Sequence, residues 1–161
     1  MLTRAILFFS RSGVETAIDT YVKDNYKEGT ARACLCFNQD GNLQIDISCI
    51  NTNFTNFWGG EWQASWLVDT QANSISGSVK VNNHYFESGN IQFSLQKEFT
   101  NIPLAAADGE NIVAAIDKTE TEYQKTIETM HDGLGDVFKR MRRTLPVTGA
   151  KFDWSGFRSV L

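Results

Sequence analysis

The chain has 161 residues, 42% apolar and 21% charged, with a formal net charge of −4. These proportions are those of one folded globular domain and not of a disordered chain. The mildly acidic balance excludes a general nucleic-acid binder. The N-terminal patch Ala5-Ile6-Leu7-Phe8-Phe9 falls far short of the about 20 apolar residues of a membrane span. It also lacks the apolar length and small-residue cleavage site of a secretory signal, so the chain is expected to be intracellular and not membrane-spanning. Without a secretory signal, the acceptor-like Asn53-Phe54-Thr55 is a chance match.

The first predicted element is a helix over 12–26. Val14, Ala17, Ile18, Tyr21 and Val22 recur at helical spacing, with Ser12 and Glu15 placed as a capping box and Gly29 beyond the end. Strands follow. Residues 31–37 lead into Asp40-Gly41-Asn42, a turn that exploits glycine's tolerance of positive φ. Leu43, Ile45, Ile47 and Cys49 then alternate with polar residues, the period of a half-buried strand. Residues 61–70 and 75–87 give a third and fourth strand. Ser88-Gly89-Asn90 turns the chain into Ile91, Phe93 and Leu95. Cys34, Cys36 and Cys49 are odd in number and lack zinc-type spacing, so they are expected to be reduced, buried thiols.

The last predicted element is a long helix over 108–144. Val113, Ile116, Tyr123, Ile127, Met130, Leu134, Val137 and Met141 form a stripe in steps of three and four, and only Glu120 breaks it. Gly133 and Gly135 weaken the helix by about 1 kcal/mol each relative to Ala. Pro146 stops it. The predicted class is therefore α+β: a five-stranded antiparallel meander preceded by a short helix, with a long C-terminal helix packed across it. At 1.5 Å per residue such a helix is about 55 Å long. Five strands at about 4.8 Å spacing make a sheet only about 20 Å wide. Either the helix runs partly along the strands or a partner's sheet extends the platform, which would also cover an exposed edge strand.

Three segments carry chemistry. The first is Asn56-Phe57-Trp58-Gly59-Gly60-Glu61-Trp62-Gln63-Ala64-Ser65-Trp66, in which Trp62 and Trp66 share one strand face. Such a row is either a stacking platform or a core or dimer-interface cluster, and burial favours the second. The second is Asn83-His84-Tyr85-Phe86-Glu87-Ser88-Gly89-Asn90-Ile91-Gln92. His84 has no nucleophile or paired carboxylate beside it in sequence, so it is read as a structural strand residue. Trp58, Trp62, Trp66, His84, Tyr85, Ile116, Tyr123, Ile127, Met130 and Leu134 are thus expected in core or dimer packing. No phosphate loop, dinucleotide fingerprint, metalloprotease motif or calcium loop is present, and the reading calls for no enzyme activity, metal or cofactor.

The third segment is the ending Arg142-Arg143-Thr144-Leu145-Pro146-Val147-Thr148, then Lys151-Phe152-Asp153-Trp154. From Phe138 to Arg158, six cations (Lys139, Arg140, Arg142, Arg143, Lys151 and Arg158) face one acid, Asp153, for a net +5. The rest of the chain therefore carries −9. A cationic patch on an anionic body suits docking of one end on an acidic partner. Its other reading is a solvated helix end that complements the macrodipole.

In order and spacing, the tryptophan segment, the His-Tyr-x-Glu-x-Gly-Asn-x-Gln hairpin and the Arg-Arg-x-Leu-Pro-Val-Thr…Lys-x-Asp-Trp ending resemble the α subunit of heterodimeric F-actin capping protein (CapZ). The similarity runs from about Ser12 to Trp154. It implies one capping-protein-α-like domain over 1–161: an atypical N-terminus at 1–11, a helix at 12–30, the sheet at 31–100, the long helix at 108–145 and a shortened tentacle at 146–161. It also implies a β-subunit partner whose sheet joins this one, and a role in blocking subunit addition and loss at the barbed end of F-actin in the cytoplasm. Lys139, Arg142, Arg143 and Lys151 match the family's actin-binding basic positions, and Trp154 and Phe157 its first apolar anchors. The family's phosphoinositide regulation implies a second, anionic-lipid reading of the same patch. Departures from the pattern are a largely missing N-terminal stalk, an ending part-way through the tentacle and Gly149 at a commonly basic position. They imply weaker capping, or a dimerising scaffold that has lost it.

Overall fold

The computed structural model describes residues 11–38, 41–86 and 91–144, with side chains for 13–38, 41–86 and 92–130. The chain divides into two compact units, residues 1–120 and 121–161. In the first, helix α1 (Arg11–Asn25) precedes five strands: β1 (Thr30–Phe37), β2 (Leu43–Asn53), β3 (Trp58–Asp69), β4 (Ser74–Tyr85) and β5 (Ile91–Pro103). The strands pair in sequence order, each antiparallel to the next. Helix α2 (Gly109–Thr144) starts in the first unit and continues through the second. The meander, the short first helix and the long last helix are those expected from the sequence.

The registers explain why one sheet face is core. Leu43, Ile45, Ile47 and Cys49 of β2 oppose Val68, Trp66, Ala64 and Trp62 of β3. Those residues in turn oppose Ile75, Gly77, Val79 and Val81 of β4. Side chains alternate along a strand, so all of these lie on one face. That face and the stripes Val14, Ile18, Tyr21 and Val22 of α1 and Ile112 and Ile116 of α2 supply the first unit's buried core. Each fully buried Ile or Val contributes about 1.5–3 kcal/mol of transfer free energy. The α2 seam enters this core at Ile112 rather than Val113, which is only half-buried. Asp108 sets that phase. Its carboxylate accepts the Asn111 backbone N–H at 2.8 Å, capping the first turn.

One row crosses the sheet with a specific fit: Leu35, Ile45, Trp66, Gly77, Phe99. Trp66 is fully buried and its indole stacks on Phe99, 5.7 Å between centroids, although β4 lies between their strands. Gly77 makes the reach possible. A Cβ there would lie 2.5 Å from Trp66 Cε3 and 2.4 Å from the Ser65 carbonyl oxygen.

Three strands run further than the sequence pattern implies. Gly59 and Gly60 look like breakers, yet they pair with Thr52 and Asn51 on one side and with His84 and Asn83 on the other. β3 therefore begins at Trp58, and β2 extends to Asn53 to meet it. β5 continues past Gln96 to Pro103 through a bulge, where Thr100 and Asn101 together oppose Ser76. Asn101 has φ +53° and donates its N–H to Ser76 Oγ at 3.0 Å. Helix α1 begins at Arg11, one residue before the expected cap at Ser12, whose side chain lies outside the described residues.

The cysteine expectation is corrected in part. All three are free thiols, but only Cys49 is buried; Cys34 and Cys36 are exposed. The register gives the reason. Ala31, Ala33 and Leu35 oppose Cys49, Ile47 and Ile45 on the core face, which turns Cys34 and Cys36 to the other side of β1.

Candidate functional site

The described part of the charged ending is the last turns of α2, up to Thr144. Lys139, Arg142 and Arg143 fall on its helical backbone, three and four residues apart. Their side chains, and the whole of Lys151, Trp154 and Phe157, lie outside the described residues, as does the side chain of Leu134.

Of the residues expected in packing, Trp66 and Ile116 are fully buried in the first unit, and Tyr123 and Ile127 are buried along α2. Trp58, Trp62, His84 and Met130 are half-buried, whereas Tyr85 is exposed. His84 projects on the face opposite the core, between Gly59 and Gln92 in the register, with its ring tilted 50° against Phe86 at 5.3 Å. Phe86 in turn meets Phe57 edge-on at 6.0 Å, and its N–H donates to the Phe57 carbonyl.

The sheet offers two kinds of contact surface. Its outer strands, β1 and β5, each have one strand neighbour only among the described residues, and a sheet is extended at such edges. β1 runs eight residues with no register shift. β5 is interrupted by its bulge. It also carries Lys97 in a core-face position, with Nζ 5.1 Å from the Phe99 ring centroid. The second surface is the face away from the helices, a polar row of Arg32, Ser48, Gln63, Lys80 and Gln96. Beside it, Asp46 accepts from Ser65 Oγ at 2.6 Å and from Gln44 Nε2 at 3.0 Å. Glu61 accepts from Gln63 at 2.6 Å and from Asn82 at 3.0 Å. These bonds tie the carboxylates down and leave Arg32 and Lys80 as that row's cations.

On the helix side, α1 and the first turns of α2 flank a groove of about 1260 Å³ whose walls include Ala17, Asp24, Glu110, Val113 and Asp117. Tyr21, which also lines it, belongs to a cluster that the sequence pattern does not identify. Glu120 is only 5% exposed. One of its carboxylate oxygens accepts from Tyr21 Oη at 2.9 Å and from Tyr26 Oη, and the other from Trp66 Nε1 at 3.1 Å. Burial pushes the Glu120 pKa up, partly offset by the three hydrogen bonds. Burial and the neighbouring carboxylate push both tyrosines up as well. Two signals were available in the sequence: Glu120 is the one break in the α2 stripe, and Tyr21 lies on the α1 stripe. The Cys49 thiol is also raised, by burial.

No group of three or more His, Cys, Asp or Glu side chains is placed to hold a metal among the described residues. Nor is any described helix long and apolar enough to cross a membrane.

Comparison with known proteins places this architecture. The family model for the F-actin capping protein alpha subunit matches residues 9–160. The F-actin-capping protein subunit alpha of Chaetomium thermophilum is 33% identical over 146 residues, covering 88% of this chain and 52% of the relative. The Caenorhabditis elegans protein of the same name is 33% identical over 156 residues, covering 90% and 54%. The chain thus spans about half the length of the curated relatives it matches. Among solved structures, the homodimeric actin capping protein alpha subunit from Plasmodium berghei superposes with a TM-score of 0.61. It is 24% identical and covers 89% of this chain and 59% of that one, a likeness of fold. The chain belongs to the F-actin capping protein alpha subunit family.

Proposed function

We propose that this member of the F-actin capping protein alpha subunit family serves as the alpha-type half of an actin barbed-end cap. In this reading it pairs with a beta-type subunit and blocks both addition and loss of actin subunits, in the cytoplasm at the actin cytoskeleton. It does so by binding and not by catalysis. The observation that carries the reading is the family match over residues 9–160, which spans both the sheet and the basic ending. Relatives named for F-actin capping, at about a third identity, support it.

The physical division of labour is as follows. The meander supplies a platform whose outer strands, β1 and β5, are where a partner's sheet would join. Lys139, Arg142, Arg143 and Lys151 supply cations for carboxylates on the terminal actin subunits, acting first as long-range steering and then as close ion pairs. Trp154 and Phe157 supply apolar anchors of the kind an amphipathic helix sets into a groove. Trp58, Trp62, Trp66, His84 and Tyr85 on the sheet, with Ile116, Tyr123, Ile127, Met130 and Leu134 on α2, supply core and dimer packing.

The test is pyrene-actin elongation from barbed-end seeds, with the chain co-purified with a beta-type subunit. Wild-type protein slows growth. Arg142→Glu with Arg143→Glu raises the dissociation constant tenfold or more, since each charge-assisted bond is worth about 1.5–3 kcal/mol. Unchanged elongation at micromolar wild-type protein would remove the capping role. Normal capping by the double variant would move it to another surface. The Plasmodium berghei structure is titled homodimeric, and this favours a second reading in which the partner is another copy of the chain. Native mass spectrometry with and without the beta-type subunit separates the two. The same basic positions suit phosphoinositide headgroups, and co-sedimentation with liposomes containing or lacking them reads that binding.

A further inference from the structure

Helix α1 is fastened to the rest of the first unit at two places. Near its start, Gly109 of α2 lies so close that a Cβ there would sit 3.1 Å from the Gly13 carbonyl oxygen and from Val14 Cα. Eleven residues further along α2 comes Glu120, about 16 Å away along the helix axis at 1.5 Å per residue. Its carboxylate gathers hydrogen bonds from three elements: Tyr21 on α1, Tyr26 in the α1–β1 connection and Trp66 on β3. The tyrosine rings meet edge-on at 6.1 Å, which braces the two hydroxyls on the same oxygen. Tyr21, Glu120 and Trp66 are all buried. A polar centre of this kind is costly unless satisfied, and when satisfied it fixes one arrangement of the elements that meet there.

We infer that Glu120, Tyr21, Tyr26 and Trp66 form a proton-responsive clasp that holds α1 on the sheet and α2, tightest with the Glu120 carboxyl protonated and weakened when it ionises. The donors are all uncharged. The groups acting on the carboxylate are Tyr21 from α1, Tyr26 from the connection, Trp66 from β3 and Asp117 one turn earlier on α2. Asp117 is negative and none is positive, so the ionised state is stabilised by dipoles alone at a carboxylate only 5% exposed. Protonation does not orphan the network, because a tyrosine oxygen can accept the new carboxyl O–H as well as donate its own.

The pH dependence follows from that environment. Burial raises the Glu120 pKa above its ordinary 4.5. A carboxyl whose pKa is higher folded than unfolded contributes stability that is full below the unfolded pKa. That stability is lost as pH rises towards the folded pKa. Loosening is local in consequence: release of α1 uncovers Val14, Ile18, Tyr21 and Val22 and the sheet they cover.

Three readouts on the full chain test the clasp. Urea unfolding from pH 4.5 upwards, on wild type and Glu120→Gln, gives the ratio of their unfolding constants. That ratio rises by up to tenfold per pH unit between 4.5 and the folded pKa, because the variant cannot ionise there. A ratio constant across the range overturns the inference. Carboxyl ¹³C NMR of wild type reads the titration directly; a midpoint above 4.5 is expected, and one at or below it overturns the inference without any variant. Amide exchange, corrected for intrinsic pH dependence, places the effect: protection of α1 falls as pH rises through that midpoint. Protection that stays flat in α1 also overturns it. Should Glu120→Gln fail to fold, Tyr26→Phe removes one donor and moves the NMR midpoint upward; an unmoved or lowered midpoint counts against the clasp.

Discussion

Gly77→Ala sets two physical rules against each other, and the structure says which wins. By propensity alone, replacing a strand glycine with alanine stabilises by about 0.5–1 kcal/mol, because the unfolded chain loses freedom. No positive φ at Gly77 opposes that gain. The added methyl would, however, stand 2.4 Å from the Ser65 carbonyl oxygen and 2.5 Å from Trp66 Cε3. The oxygen belongs to a backbone paired on both sides, and the indole is fully buried and stacked on Phe99. Neither swings aside, so β3 and β4 must part or Trp66 must leave its place. Overpacking costs about 1–3 kcal/mol; contacts of 2.4 and 2.5 Å put this case at about 2–3, which leaves a net loss of about 1–2.5 kcal/mol after the propensity gain. With a urea m-value of about 2 kcal/mol/M, the unfolding midpoint falls by about 0.5–1.2 M. Gly59→Ala is the control. Its nearest neighbour would be Thr52 Oγ1 at an ordinary 3.6 Å, so propensity acts alone there and the midpoint holds or rises. A Gly77→Ala chain as stable as wild type, with unchanged tryptophan fluorescence, would refute the packing argument for the whole Leu35–Phe99 row.

The remaining predictions are shorter. At the β5 bulge, Asn101→Val places a branched residue at positive φ and lowers stability by about 1–2 kcal/mol, while Asn101→Gly keeps it within about half a kcal/mol; urea melts read both. Asp108→Ala removes the α2 cap and costs about 1 kcal/mol, seen as a lower melting temperature. An Ellman titration of the native chain consumes the two exposed thiols, Cys34 and Cys36, at once, whereas Cys49 reacts only after denaturation. Immediate reaction of all three would contradict the burial that raises the Cys49 thiol.

Much of the fold was legible because its signals are local. Alternation in 43–49 and 91–95 and the apolar spacing in 113–141 each specify an element without reference to a partner. The failures share a cause: they depend on what lies across the sheet. Gly59 and Gly60 are breakers by composition, but pairing on both sides keeps them in β3. Cys34 and Cys36 suggest burial by residue type, but register decides which face they occupy. The β5 bulge exists because Asn101 tolerates a left-handed backbone and Ser76 accepts its N–H. No run of β5 residues announces that partnership.

Glu120 marks the sharper boundary between pattern and structure. In the sequence it is the fault in an otherwise apolar seam, and a fault by itself predicts only local instability. Its partners lie 99, 94 and 54 positions away, so no window along the chain brings them together. What converts the fault into a specific contact is convergence: α1 and the connection after it must each supply a phenol, and β3 an indole, at one point on α2. A leucine at position 120 would mend the seam and leave Tyr21 Oη and Trp66 Nε1 buried without their acceptor, at about 1–3 kcal/mol each. The apparently worse residue is therefore the better one here. The same reasoning does not extend to Lys139, Arg142 and Arg143, because the role proposed for them is contact with a partner. That role is a proposal drawn from charge pattern and resemblance, and a binding measurement, not a stability measurement, is what tests it.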